Sequence, residues 1–86
     1  MPEISRFYGI VIYIFFREHD PPHFHAVYGE YEALIDIRTL GVLAGNLPAR
    51  SLGLVVEWAN LHKNELQEAW SRARNHRLPG KIAPLP

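Results

Sequence analysis

The stretch HFHAVYGEYEALIDI, residues 23–37, decides how this chain folds. Gly29-Glu30 separates two runs of alternating residues, and a two-residue turn with glycine first is the signature of a type II′ hairpin. A turn of that length fixes the register. Tyr28 faces Tyr31, Ala26 faces Ala33, His25 faces Leu34, Phe24 faces Ile35 and His23 faces Asp36. Side chains alternate along a strand, so Phe24, Ala26, Tyr28, Tyr31, Ala33 and Ile35 share one face. His23, His25, Val27, Glu32, Leu34 and Asp36 share the other.

Upstream of the hairpin, ISRFYGIVIYIFF (residues 4–16) reads as one long strand rich in Ile, Val, Tyr and Phe. It is apolar on both alternating faces, with Ile10, Ile12, Ile14 and Phe16 on one and Val11, Tyr13 and Phe15 on the other. REHDPP then breaks it, because proline cannot donate to a ladder. Downstream, TLG turns the chain and VLAGNL forms a short fourth strand.

Pro48 suits the first position of a helix, where its missing N–H costs nothing, and Asn46 offers the better capping chemistry before it. Leu52, Val55, Ala59, His62, Leu66, Ala69 and Ala73 then recur in alternating steps of three and four, which makes one apolar stripe. The pattern predicts a single helix from about 48 to 75, roughly 40 Å long. Gly53 costs it roughly 1 kcal/mol against alanine. The expected architecture is α+β in one domain, 1–86. A four-stranded antiparallel sheet over 1–47 packs on the helix of 48–75, and a proline-rich tail covers 76–86.

Composition sets the boundaries. Eighty-six residues, 48% hydrophobic and 21% charged, make one modest core. No run approaches the roughly 18 apolar residues of a membrane span, and the first residues lack a basic stretch followed by an apolar one, so neither membrane insertion nor a signal peptide is expected. The absence of cysteine rules out disulfides and thiolate metal sites and fits a cytoplasmic location. Net charge is zero, but residues 1–46 carry −3 and residues 47–86 carry +3. Such a dipole can orient a partner, or it can be an ordinary solvated helix end.

Three of the five histidines fall between residues 19 and 25. His23 and His25 project from one strand face, and the register sets Asp36 across from His23, with opposed Cβ atoms roughly 5 Å apart. Two imidazoles and a carboxylate can hold zinc with one position open. The same groups, with His19 nearby, can also do acid–base work on RNA. One neutral imidazole would take the 2′-OH proton and a protonated one would supply the 5′ leaving oxygen. Arg6, Arg17 and Arg38 are candidates for stabilising the charged phosphorane. The plain alternative is a polar cross-strand pair behind a stiff Pro21-Pro22 approach. His62, on the helix stripe, reads as a core histidine bonded to a backbone or tyrosine oxygen. Trp58 and Trp70 read as packing anchors. Arg72, Arg74 and Arg77 after Trp70 leave room for an RNA contact, whereas no helix-turn-helix pair is visible.

Four segments resemble a small bacterial family carried as a domain of unknown function. They are PEISRFYGIVI (2–12), HDPPHFHAVYGEYEALIDI (19–37), GNLPAR (45–50) and VVEWANLHKNELQEAW (55–70). Members of that family are often described as toxins of two-gene toxin–antitoxin modules, or loosely as transcriptional regulators. The resemblance implies a component of such a gene pair, possessing no established catalytic residue to carry over. The other expectation is a non-catalytic interaction module. One helix can cover only one face of the sheet, so Val11, Tyr13 and Phe15 are expected at an interface. That interface would form a homodimer or receive a small partner protein, unless the tail folds over it.

Overall fold

In the computed structural model, which describes residues 2–16 and 18–86, the central hairpin has the register read from its turn. Strands β3 (His23–Tyr28) and β4 (Tyr31–Asp36) pair antiparallel from His23 opposite Asp36 to Tyr28 opposite Tyr31. Gly29 takes a φ of +59°, as the first position of that turn requires. The chain is α+β, an open antiparallel sheet of five strands with two helices.

The fifth strand comes from the N-terminal run, which is a hairpin and not one long strand. β1 (Glu3–Phe7) and β2 (Ile10–Tyr13) fold on each other around Tyr8-Gly9. Both turn residues are left-handed, with φ +49° at Tyr8 and +80° at Gly9, the sign pattern of a type I′ turn. Tyr8-Gly9 hid this turn because it carries no Asn, Asp or Pro and tyrosine seldom takes a left-handed backbone. β2 also stops at Tyr13, so Phe16 leaves the core face and is 41% exposed. β5 (Val42–Gly45) is the short strand expected after the Thr39 turn, and the sheet order is β1-β2-β3-β4-β5. Gly45 has φ +74°, and a Cβ there would collide with the Glu32 carbonyl oxygen.

The predicted single helix is two. α1 (Ala49–Leu61) ends and α2 (Lys63–Arg74) begins at His62, whose φ of −128° and ψ of 29° leave the helical region. The His62 N–H bonds back three residues to the Ala59 carbonyl, and its own carbonyl accepts the Leu66 N–H to start α2. The apolar stripe survives the break: Val55, Trp58, Ala59, Leu66, Ala69, Trp70 and Ala73 are all buried. They meet the sheet face bearing Ile10, Ile12, Phe24, Ala26, Ala33 and Ile35, each 0% exposed. Trp58 is the contact point, edge-on to Phe24 at 5.9 Å and tilted against Phe7 at 5.3 Å.

The tail returns along β1. The Ile82 N–H donates to the Ile4 carbonyl at 2.7 Å, and Trp58 Nε1 donates to the Ala83 carbonyl at 2.8 Å. Ile82 and Leu85 join the same core as Ile4 and Trp58. The tail therefore completes the helix side of the sheet and leaves Val11, Tyr13 and Phe15 half-buried on the other. No helix among the described residues is long and apolar enough to cross a membrane.

Candidate functional site

The open face of the sheet carries a cluster of imidazoles and carboxylates at one end. His23 and His25 lie two apart on β3, so alternation sends both rings to that face. The connection from β2 to β3 contains a cis Asp20–Pro21 peptide and carries Glu18 back against both rings. The ring centroids of His23 and His25 are 5.4 Å apart. One ligand-capable atom from each of Glu18, His23 and His25 lies within 4.8 Å of the others.

Hydrogen bonding fixes how the rings are used. His23 Nδ1 is 2.9 Å from the Pro21 carbonyl, which only accepts, so Nδ1 carries the proton. His23 Nε2 then has no hydrogen-bond partner, although the residue is only 6% exposed. Glu18 Oε1 sits 3.4 Å from it, near enough for charge attraction. His25 is held on both sides, with Nδ1 3.0 Å from Glu32 Oε2 and Nε2 2.5 Å from Glu18 Oε1. A neutral imidazole has one N–H, and ionised carboxylates only accept. The two contacts therefore call for one more positive centre, a proton or a metal cation, between His25 Nε2 and Glu18.

Aromatic rings wall the cluster. Phe15 stands edge-on to His25 at 4.5 Å and stacks with Tyr13 at 5.9 Å. Trp70 of α2 lies 5.1 Å from His23, so the helix end reaches round to the site. Arg74 pairs with Asp20 at 3.2 Å and fastens the same helix end to the connection bearing Glu18.

The carboxylate that joins the histidines is thus Glu18, where sequence register had pointed to Asp36. Asp36 does stand opposite His23, but its Oδ1 accepts the N–H groups of Arg38 at 2.7 Å and Thr39 at 3.1 Å. Its Oδ2 lies 3.6 Å from the Arg38 guanidinium. Burial pushes the Asp36 carboxyl up. The Thr39 and Arg38 amides and the Arg38 charge outweigh that and hold it below its ordinary value. Asp36 closes the turn into β5. His19 is exposed. Arg6 is engaged with Glu3 at 2.9 Å, Arg38 with Asp36, and Arg17 falls outside the described residues. His62 bonds Glu65 through Nδ1 at 2.5 Å and packs on Trp58 at 5.7 Å, so its partner is a carboxylate one helical turn on and not a backbone or tyrosine oxygen.

Sequence reasoning missed Glu18 and the role of Glu32. Glu32 left a signal, because it lies on the same face as His25 and diagonal to it, two pairs along the ladder. Glu18 left none, since loop residues have no register.

Fold and site together define a small α+β domain built on an open five-stranded meander, with a histidine–carboxylate cluster on the sheet face away from the helices. The family described as Domain of unknown function (DUF4160) matches residues 9–71, well over half of the chain, and the chain belongs to that family. Glu18, His23, His25, Glu32 and Trp70 all fall inside the matched span. No curated protein and no solved structure matches the chain.

Proposed function

We propose that the chain is the effector of a small two-gene, toxin–antitoxin-like pair, and that it cleaves RNA at the cluster of Glu18, His23 and His25. The observation that carries this reading is His25, held by carboxylates at both ring nitrogens beside a second imidazole with a free lone pair. Chemistry of that kind suits a phosphodiester with its own neighbouring hydroxyl. The 2′-oxygen loses its proton to a basic group and bonds to phosphorus. The P–O5′ bond breaks, and a second group returns a proton to the 5′-oxygen. His19, exposed on the approach to the cluster, can receive the substrate strand. The test is incubation of the purified chain with end-labelled RNA. Cleavage products are expected, and His25→Ala should lower the rate by ~10²-fold or more. Intact RNA after long incubation with folded protein overturns the reading.

A second reading rests on a different observation. Tyr13 and Phe15 stack on each other while half-buried, on a sheet face that neither helix nor tail covers. A non-catalytic module would use Val11, Tyr13 and Phe15 to bind a second copy or a small partner protein. Light scattering separates the two uses of the chain. A species of twice the 9.9 kDa chain mass that Tyr13→Glu halves supports this reading, and a monomer at micromolar concentration removes its homodimer form.

A further inference from the structure

We infer that Glu18, His23 and His25 bind one divalent transition-metal ion, of the zinc class, through Glu18 Oε1, His23 Nε2 and His25 Nε2. This rests on the reading that the cluster is the working site, and it names what completes it.

Four features converge on a metal ion in preference to a shared proton. First, a single proton satisfies only one of the two open positions. It can bridge His25 Nε2 and Glu18, but His23 Nε2 stays buried without a partner. A cation among the three atoms engages all of them. Second, the nitrogen of each imidazole that faces away is already anchored, His23 Nδ1 by the Pro21 carbonyl and His25 Nδ1 by Glu32. Outer partners of this kind, one carbonyl and one carboxylate, fix the ring orientation of metal-bound histidines and raise their basicity. Third, the spacing is close to what an ion requires. Ligands roughly 2.0–2.1 Å from a tetrahedral zinc lie roughly 3.3 Å from one another. Glu18 Oε1 is already 3.4 Å from His23 Nε2, and its 2.5 Å contact with His25 Nε2 needs to open by under an ångström. Glu18 lies on a connection and not a strand, so it is free to open that contact, and the three ligand atoms already lie within 4.8 Å of one another.

The fourth feature is charge. Glu18 and Glu32 bracket His25 and repel a phosphodiester, while Arg6 and Arg38 are paired elsewhere. A divalent ion cancels the two carboxylate charges and presents to phosphate a cation that these arginines do not supply. Two nitrogens and one oxygen suit zinc, iron(II), cobalt(II) or nickel(II) better than the all-oxygen cations magnesium and calcium. Three protein ligands leave a coordination position for water or for a substrate oxygen.

The experiment uses the full chain without a histidine tag, stripped with chelator and dialysed against zinc or cobalt(II). Expected are about one metal ion per chain by elemental analysis and visible cobalt absorption bands. Glu18→Gln should weaken binding at least ~10-fold and His23→Ala more, while His62→Gln binds as the parent does. Should His23→Ala fail to fold, because its ring packs on Trp70, Glu18→Gln decides alone, since Glu18 sits on a partly exposed connection. Folded parent protein that takes up under about a tenth of an equivalent of zinc, cobalt, iron(II), nickel and manganese overturns the proposal. So does undiminished affinity in Glu18→Gln. The two readings fail separately. Stoichiometric metal without RNA cleavage keeps the ion site and removes the RNA reading. Chelator-insensitive cleavage by metal-free protein, abolished in His25→Ala, does the reverse.

Discussion

On the helix side of β2 and β3, Ile10, Ile12, Phe24 and Ala26 are completely buried, while one residue along the same strands Val11, Tyr13, His25 and Val27 keep contact with water. Both faces carry apolar side chains, so hydrophobicity alone does not choose between them. The choice falls to what the helices offer. Trp58, Val55 and Ala59 present a surface that Phe24 and the isoleucines fill, and an unpaired polar group would be costly within it. The open face can hold Glu18, Glu32, His23 and His25 because these groups serve one another and the Pro21 carbonyl anchors His23, with only His23 Nε2 left without a partner. The reactive constellation sits on the sheet face opposite the main helix packing, at the end where Trp70 of α2 closes against His23.

Substitutions on the two faces should therefore differ in size. The largest effect is expected at Phe24→Ala, which removes a ring packed on Trp58 and should cost about 3–5 kcal/mol in denaturant titration. A cost under about 1 kcal/mol would mean that the helix side is not the core. An intermediate effect is expected at the sheet end, where Asp36→Asn weakens the charged acceptor for Arg38 and Thr39 and should cost about 1 kcal/mol at neutral pH. That contribution also has a pH sign. The folded carboxyl is held below its ordinary 3.8, so the stabilisation is complete above that value and is lost as acid takes the pH down through the folded pKa. Acid titration of stability should show this loss in the parent and not in Asp36→Asn. The smallest effect is expected at Val27→Thr on the open face, within about 1 kcal/mol by the same titration. A larger, concentration-dependent loss at Val27 would sharpen the comparison differently, by showing that a second molecule covers the open face.

The parts of the fold governed by a local rule could be read from the sequence. Gly29-Glu30 set the β3–β4 register pair by pair, and period-2 alternation put His23 and His25 together on the face opposite Phe24. The parts set by competition between rules could not. Tyr8 and Gly9 turn the chain with no Asn, Asp or Pro at the turn, and tyrosine seldom accepts a left-handed backbone. The helix stripe continues through His62 although the backbone does not, because buried side chains on both sides keep the same spacing. For the site, alternation identified the two imidazoles but not their carboxylate. Asp36 was placed correctly across from His23, and then its side chain turned to the nearer N–H donors of its own turn. Glu18 reaches the rings by way of a loop path that no periodicity describes.

The contacts between the tail and β1 also impose an order on biosynthesis. Lys81 bonds the Glu3 carbonyl and the Pro86 carbonyl accepts from the Tyr8 hydroxyl, pairs separated by 78 positions along the chain. As the polypeptide leaves the ribosome, the β1–β2 hairpin emerges first and waits with its outer edge unpaired until residues 81–86 follow. Residues 81–86 follow β1 by most of the domain's length, so until they emerge the nascent domain carries an open β edge and its hazard of pairing with a neighbouring chain.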